Sequence, residues 1–161
     1  MLIDTIRFGQ VEIDEKKLIT FDDGIPGLEE YKLYALLQFA DSYPIIWLQS
    51  TENRGICLPV LDTFAVVKDY VFDINEEDVG LLGLLSPEEL HVVNVMVIPE
   101  KLEEMTVNLA APIIINTVAS KAKQILLGGR EYNVRVPIFP GIYNFMREEG
   151  TADVGFVAET E

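Results

Sequence analysis

The chain has 161 residues, 49% of them hydrophobic, and a formal net charge of −15. That length supports one domain with a real core, and the apolar content argues against disorder. The charge repels phosphate backbones, and no apolar run approaches the roughly 20 residues a bilayer span needs, so direct nucleic-acid binding and a membrane-spanning role are both disfavoured. Cys57 is the only cysteine, which excludes an internal disulfide and a cysteine-built zinc cage. The N-terminus lacks the pattern of a secretory signal, so a cytoplasmic location is expected.

In chain order, Leu2–Arg7 and Gln10–Ile13 flank Gly9 and predict a hairpin, with Lys17–Phe21 as a third strand. Gly24-Ile25-Pro26-Gly27-Leu28 follows. Proline presets its own φ and glycine tolerates a positive one, so a type II turn centred on Pro26-Gly27 is expected. Lys32–Phe39, Ile45–Gln49, Ile56–Val60, Phe64–Val67 and Tyr70–Ile74 read as further strands. Asn75-Glu76-Glu77-Asp78 then opens a short helix, with Asn75 as the cap and the acids at the positive end of the dipole. Ser86-Pro87-Glu88-Glu89 is a second helix start. Leu90–Ile98 is the most β-like run of the chain. Pro112–Val118, Ala122–Leu127 and Arg130–Val136 complete the strands, the last two joined by a Gly128-Gly129 hairpin signal. Beyond Pro137 a short apolar-faced turn of helix is expected. The pattern predicts a mostly β, small barrel-like or sandwich domain of short antiparallel strands with one to three short helices.

Chemistry-bearing patterns are scarce. His91 is the single histidine, and it opens a strand, where a structural role is the simpler reading. No phosphate-binding glycine loop, dinucleotide fingerprint or nucleophile elbow occurs, so no catalytic, cofactor or metal residue is assigned. Between Asp69 and Glu104 ten acidic residues face only Lys101. This segment, with Glu76, Glu77 and Asp78 at its centre, is either a solvated face or the surface that meets a basic partner. Trp47, the only tryptophan, is either a core-filling indole or an interface anchor. The neighbouring Gln49 either offers its amide to a partner or closes a local turn. In MTVNLAAPIIIN (105–116), Pro112 marks the first residue of a strand, and Asn108 belongs to the turn before it. The Asn108 amide either satisfies that turn or reaches a partner.

Several motifs occur in a fixed order: Phe8-Gly9, Phe21, Gly24-Ile-Pro-Gly27, Trp47-Leu-Gln-Ser50, the Tyr70 segment with acidic helix starts after it, Thr106-Val-Asn-Leu109 with Ala111-Pro112-Ile113, and Gln124 ahead of Tyr132. Together they resemble the FliW flagellar assembly factor family over roughly residues 1 to 135. Leu28 stands where that family usually has phenylalanine. The resemblance implies a non-enzymatic, cytoplasmic β-barrel protein that binds flagellin and, by partner exchange, CsrA, a small basic RNA-binding protein that represses flagellin translation. One β domain over 1–136 and a partly disordered C-terminal extension over 137–161 are the expected organisation. A β-barrel that binds a small molecule and a carboxylate-dependent hydrolase are the alternative readings.

Overall fold

The computed structural model describes residues 1–83, 89–128 and 131–149. Eleven strands appear among them: β1 (Leu2–Thr5), β2 (Gly9–Glu12), β3 (Leu18–Phe21), β4 (Leu33–Leu37), β5 (Ile45–Ser50), β6 (Cys57–Asp62), β7 (Leu90–Val97), β8 (Thr106–Val107), β9 (Ile113–Asn116), β10 (Lys121–Gln124) and β11 (Val136–Pro137). Three helices join them: α1 (Thr63–Val66), α2 (Glu76–Leu82) and α3 (Phe139–Glu149).

Strands β3 to β6 form a meander that continues into β7, and β9 pairs with both β7 and β10 while β10 pairs with β3. The sheet therefore closes on itself as a seven-stranded barrel, as the mostly β reading requires. One pairing departs from the antiparallel expectation: β10 runs parallel to β3, with Lys121 opposite Thr20 and Ala122 opposite Phe21. Strand β7 is long enough to serve two partners on one edge. Leu90–Val93 pairs with β9, and Met96–Val97 pairs with β8.

Alternation along the strands assigns the two faces of the wall. Ile113 and Ile115 point into the barrel with Phe21, Tyr34, Ile46, Leu48, Val60 and Val93. Ile114, between them, points outward into a second core with Val92, Met105, Val107, Leu109 and Ile142. Both faces of β9 are thus buried, which explains why its sequence is continuously apolar rather than alternating. The β1–β2 hairpin lies over the outer face of β4 and β5, where Ile3, Ala35 and Leu37 form a third, smaller core.

The turn at Pro26-Gly27 forms as expected, with Gly27 at φ 90° and the Leu28 amide donating to the Ile25 carbonyl at 2.7 Å. Helix α2 starts where Asn75 predicts it, the Asn75 side chain accepting from the Asp78 amide at 2.8 Å. Four expectations differ. Phe64–Val67 is not a strand, because Thr63–Val66 forms α1. Tyr70–Ile74 has the alternating burial of a strand but no ladder partner. Of the strand expected over 130–136, the described residues 131–136 do not pair with β10; β11 pairs with β8 instead, Val136 opposite Val107. Local turn chemistry favoured the hairpin, but the apolar side chains of Val136 and Ile138 pack into the outer core. The last difference is length: the expected short helical turn after Pro137 is the eleven-residue α3. The Ser86-Pro87-Glu88 helix start and Gly129 lie outside the described residues.

Candidate functional site

An apolar groove of about 540 Å³ lies on the outside of the barrel. Its floor is the outer face of β5, with Ile45 and Trp47. Phe8 from the hairpin loop and Phe39 after β4 close one side. Ile98, Leu102 and Met105 close another, and α3 supplies Phe139, Ile142, Tyr143 and Met146. Those four recur at the i, i+3, i+4, i+7 spacing of an amphipathic helix. That signal was available in the sequence but masked by Pro140-Gly141, which reads as a breaker. Pro140 is tolerated because it sits in the first turn, where its missing N–H costs nothing. Gly141 is required for packing, since a Cβ there would lie 2.9 Å from Val66 Cγ1 of α1.

Trp47 packs as a core-filling indole while part of it stays exposed. Its ring meets Phe8 edge-on at 5.6 Å between centroids, and the Arg7 guanidinium lies 4.7 Å above it. Its indole N–H donates to Ser42 Oγ at 3.3 Å. It is half-buried, so part of the ring remains on the groove floor. Gln49 does not share that position. It is fully buried, and its amide donates to the Ser50 carbonyl at 3.0 Å and the Arg54 carbonyl at 3.3 Å. Gln49 therefore closes a local turn and has no surface to offer a partner, a correction that comes from burial: it shares the outward side of β5 with Trp47 but is covered by the turn that follows the strand.

The acidic trio at the start of α2 divides as well. Glu76 and Glu77 are exposed, whereas Asp78 is buried and accepts from Lys123 Nζ at 2.6 Å. The pairing raises the Lys123 pKa, first through the Asp78 hydrogen bond. Asp78 thus fixes α2 to β10, and Asn116 anchors the other end by donating to the Leu82 carbonyl at 2.7 Å. Asn108 satisfies its own turn: Oδ1 accepts from the Ala110 amide at 3.0 Å. Its carbonyl takes a hydrogen bond from Asn94, whose side chain also contacts Thr63 and Tyr70. Burial pushes the Tyr70 hydroxyl up to about 12.

Phe21 is fully buried in the barrel. Gly24 has φ 72°, and a Cβ there would come within 2.6 Å of Glu29 Cα. Pro112 lies just before β9, and its carbonyl accepts from the Ile125 amide at 2.8 Å. These residues hold the scaffold rather than a ligand.

One polar cluster was not anticipated. Asp62, at the end of β6, accepts a hydrogen bond from the Tyr43 hydroxyl, and His91 Nε2 lies 3.1 Å from its other oxygen. Burial pushes the Asp62 carboxyl up, but the hydrogen bonds from His91 and Tyr43 outweigh it and hold the pKa below the ordinary value. Burial and the Asp62 carboxylate together raise the Tyr43 pKa. Sequence spacing gives no hint of this cluster, because its three members lie on separate elements. Among the described residues, no group of three or more His, Cys, Asp or Glu is arranged to hold a metal ion. No helix among them is long and apolar enough to cross a membrane.

Comparison with known proteins identifies the scaffold. The family model described as FliW protein matches residues 2–138. A flagellar assembly factor FliW of Thermosipho africanus is 39% identical over 130 residues, covering 80% of this chain and 90% of the relative. One of Alkaliphilus metalliredigens is 35% identical over 136 residues, covering 84% of each. A crystal structure of the flagellar assembly factor FliW superposes with a TM-score of 0.80 at 28% identity, covering 87% of this chain and 98% of that one. The closed barrel, the ordered motifs and these relatives agree, and the chain belongs to the FliW family of flagellar assembly factors.

Proposed function

We propose that this protein is a cytoplasmic, non-catalytic binding module that holds flagellin in the apolar groove and CsrA against its acidic face, one at a time. An amphipathic helix entering a hydrophobic groove is a standard recognition mode, and the groove offers the aromatic anchors Trp47 and Tyr143. A basic RNA-binding protein suits the exposed carboxylates of Glu76 and Glu77. The same charges disfavour RNA itself.

The observation that supports exclusive binding is the turn at Leu102–Glu104. Leu102 walls the groove, while Glu103 and Glu104 stand exposed on the same three residues. A partner that covers Glu103 and Glu104 crowds the mouth of the groove. Exchange then follows from mass action, with free flagellin setting how much of the protein is open to CsrA.

The test mixes the purified protein with flagellin and with CsrA, separately and together. Each pair is expected to bind, and flagellin is expected to displace CsrA. A stable ternary complex overturns the exchange. Trp47→Ala and Tyr143→Glu should weaken flagellin binding at least tenfold while leaving CsrA binding within about twofold. Unchanged flagellin affinity in both folded variants removes the groove from the proposal.

A further inference from the structure

A second groove lies away from the first, between the segments 71–75 and 125–128, with a volume of about 670 Å³. Both segments are strand-like without being paired where they face the groove. Burial alternates from Val71 to Asn75, with Phe72 and Ile74 packed on the outer core and Val71 and Asp73 turned out. The Val71 amide donates to Tyr132 Oη at 3.0 Å, but the amides of Phe72, Asp73 and Ile74 find no partner among the described residues.

Across the groove, the ladder between β9 and β10 runs on past its regular end. The Ile125 amide donates to the Pro112 carbonyl at 2.8 Å, and the Leu127 amide to the Ala110 carbonyl at 2.9 Å. Successive amides of an extended chain point to opposite edges, so the N–H and C=O of Leu126 face away from that ladder. On that edge β3 has already turned off, its last pairing being Phe21 with Ala122. Nothing among the described residues bonds to the Leu126 backbone. Val71 and Leu126, 67% and 72% exposed, supply apolar surface at its two sides.

Unpaired edges of this kind are templates for an added strand. The charge selects its chemistry. Asp73 and Glu131 line the groove, Glu76 and Glu77 follow directly, and residues 69–83 contain no lysine or arginine. Residues 125–128 and 131–132, which face that segment, contain no lysine or arginine, and Arg130 lies outside the described residues. We infer that this groove takes an extended basic segment of a partner protein by strand addition, with alternate side chains on Val71 and Leu126 and lysines or arginines facing Asp73 and Glu131. The inference deepens the reading that a basic partner meets the acidic face, and it can fail while that reading stands.

The test uses an acetylated, amidated seven-residue peptide alternating lysine and valine, added to the full chain. Hydrogen exchange followed by NMR should show the Leu126 amide and at least one amide of 72–74 slowed tenfold or more by saturating peptide. Replacing the lysines by glutamate, or N-methylating alternate peptide amides, should each weaken binding at least tenfold. Asp73→Lys combined with Glu131→Lys, both on the surface, should reverse the preference between the two peptides. Equal affinity for the N-methylated peptide overturns strand addition while leaving a charge-only contact with the acidic face. No binding, or protection confined to other segments, overturns the site.

Discussion

At Asp62 a single carboxylate takes the hydroxyl of Tyr43 on one oxygen and faces His91 Nε2 on the other. Its folded pKa lies below the ordinary value despite burial. The contribution to stability is therefore complete above about pH 4 and is lost as pH falls through the lower, folded value. Asp62→Asn should cost about 1–3 kcal/mol at pH 7 in denaturant titrations, with the gap to wild type narrowing below pH 4. A constant gap across that range removes Asp62 as the source of acid sensitivity. The glycines of the 24–27 motif separate in the same way. Gly24→Ala meets backbone at 2.6 Å, whereas a Cβ at Gly27 meets nothing within 4 Å. Gly27→Ala should cost about 1 kcal/mol for its left-handed backbone, and Gly24→Ala more than about 2 kcal/mol because overlap adds to strain. Urea midpoints of the two variants decide this; equal losses contradict it.

Among the elements, α2 is short and weakened by Gly80, and it persists because it is tied at three points. Asn75 caps its start, Asp78 bonds Lys123 on β10, and Asn116 holds its last carbonyls. Asn75→Ala should cost about 1 kcal/mol and speed amide exchange at Val79–Leu82 more than in the barrel strands. The burial of Asp78 also dictates how the acidic face is probed. Reversing Glu76 and Glu77 alone tests binding, whereas reversing Asp78 as well leaves Lys123 facing a like charge and confuses binding with folding. Helix α3 extends the organisation beyond the matched residues 2–138, since Ile142 is only 3% exposed within the outer core. Ile142→Ala should destabilise the chain by about 2–4 kcal/mol in thermal or urea unfolding. A loss below about 0.5 kcal/mol shows α3 to be an appendage.

For the whole molecule, the sequence showed the class of fold more clearly than the connections within it. Periodicity and turn residues marked β1 to β7, β9, β10 and the start of α2, because these depend on neighbours along the chain. The pairing of Val136 was misplaced for the opposite reason: β11 is set by packing against β8, a contact no local signal encodes. The parallel union of β3 with β10 was equally hidden. At the candidate sites, Trp47 was legible as a rare aromatic, and the acidic face as a run of charge. The burial of Gln49 under the turn after β5 and the pairing of Asp78 with Lys123 depended on contacts that only the assembled fold supplies. Tyr70–Ile74 looked like a strand because it has a strand's side-chain alternation. What it lacks, a neighbour, only the assembled fold reveals.

The join between β3 and β10 also sets when this protein becomes usable. Thr20 and Lys121 are about 100 residues apart in sequence, so closure is among the slow, non-local steps of folding. During synthesis the meander from β3 to β6 leaves the ribosome with one edge of β3 open, and only the arrival of β10 seals it. The wall of the first groove comes later still, with α3. A nascent chain therefore holds neither a closed barrel nor a complete groove until β10 and then α3 have been made.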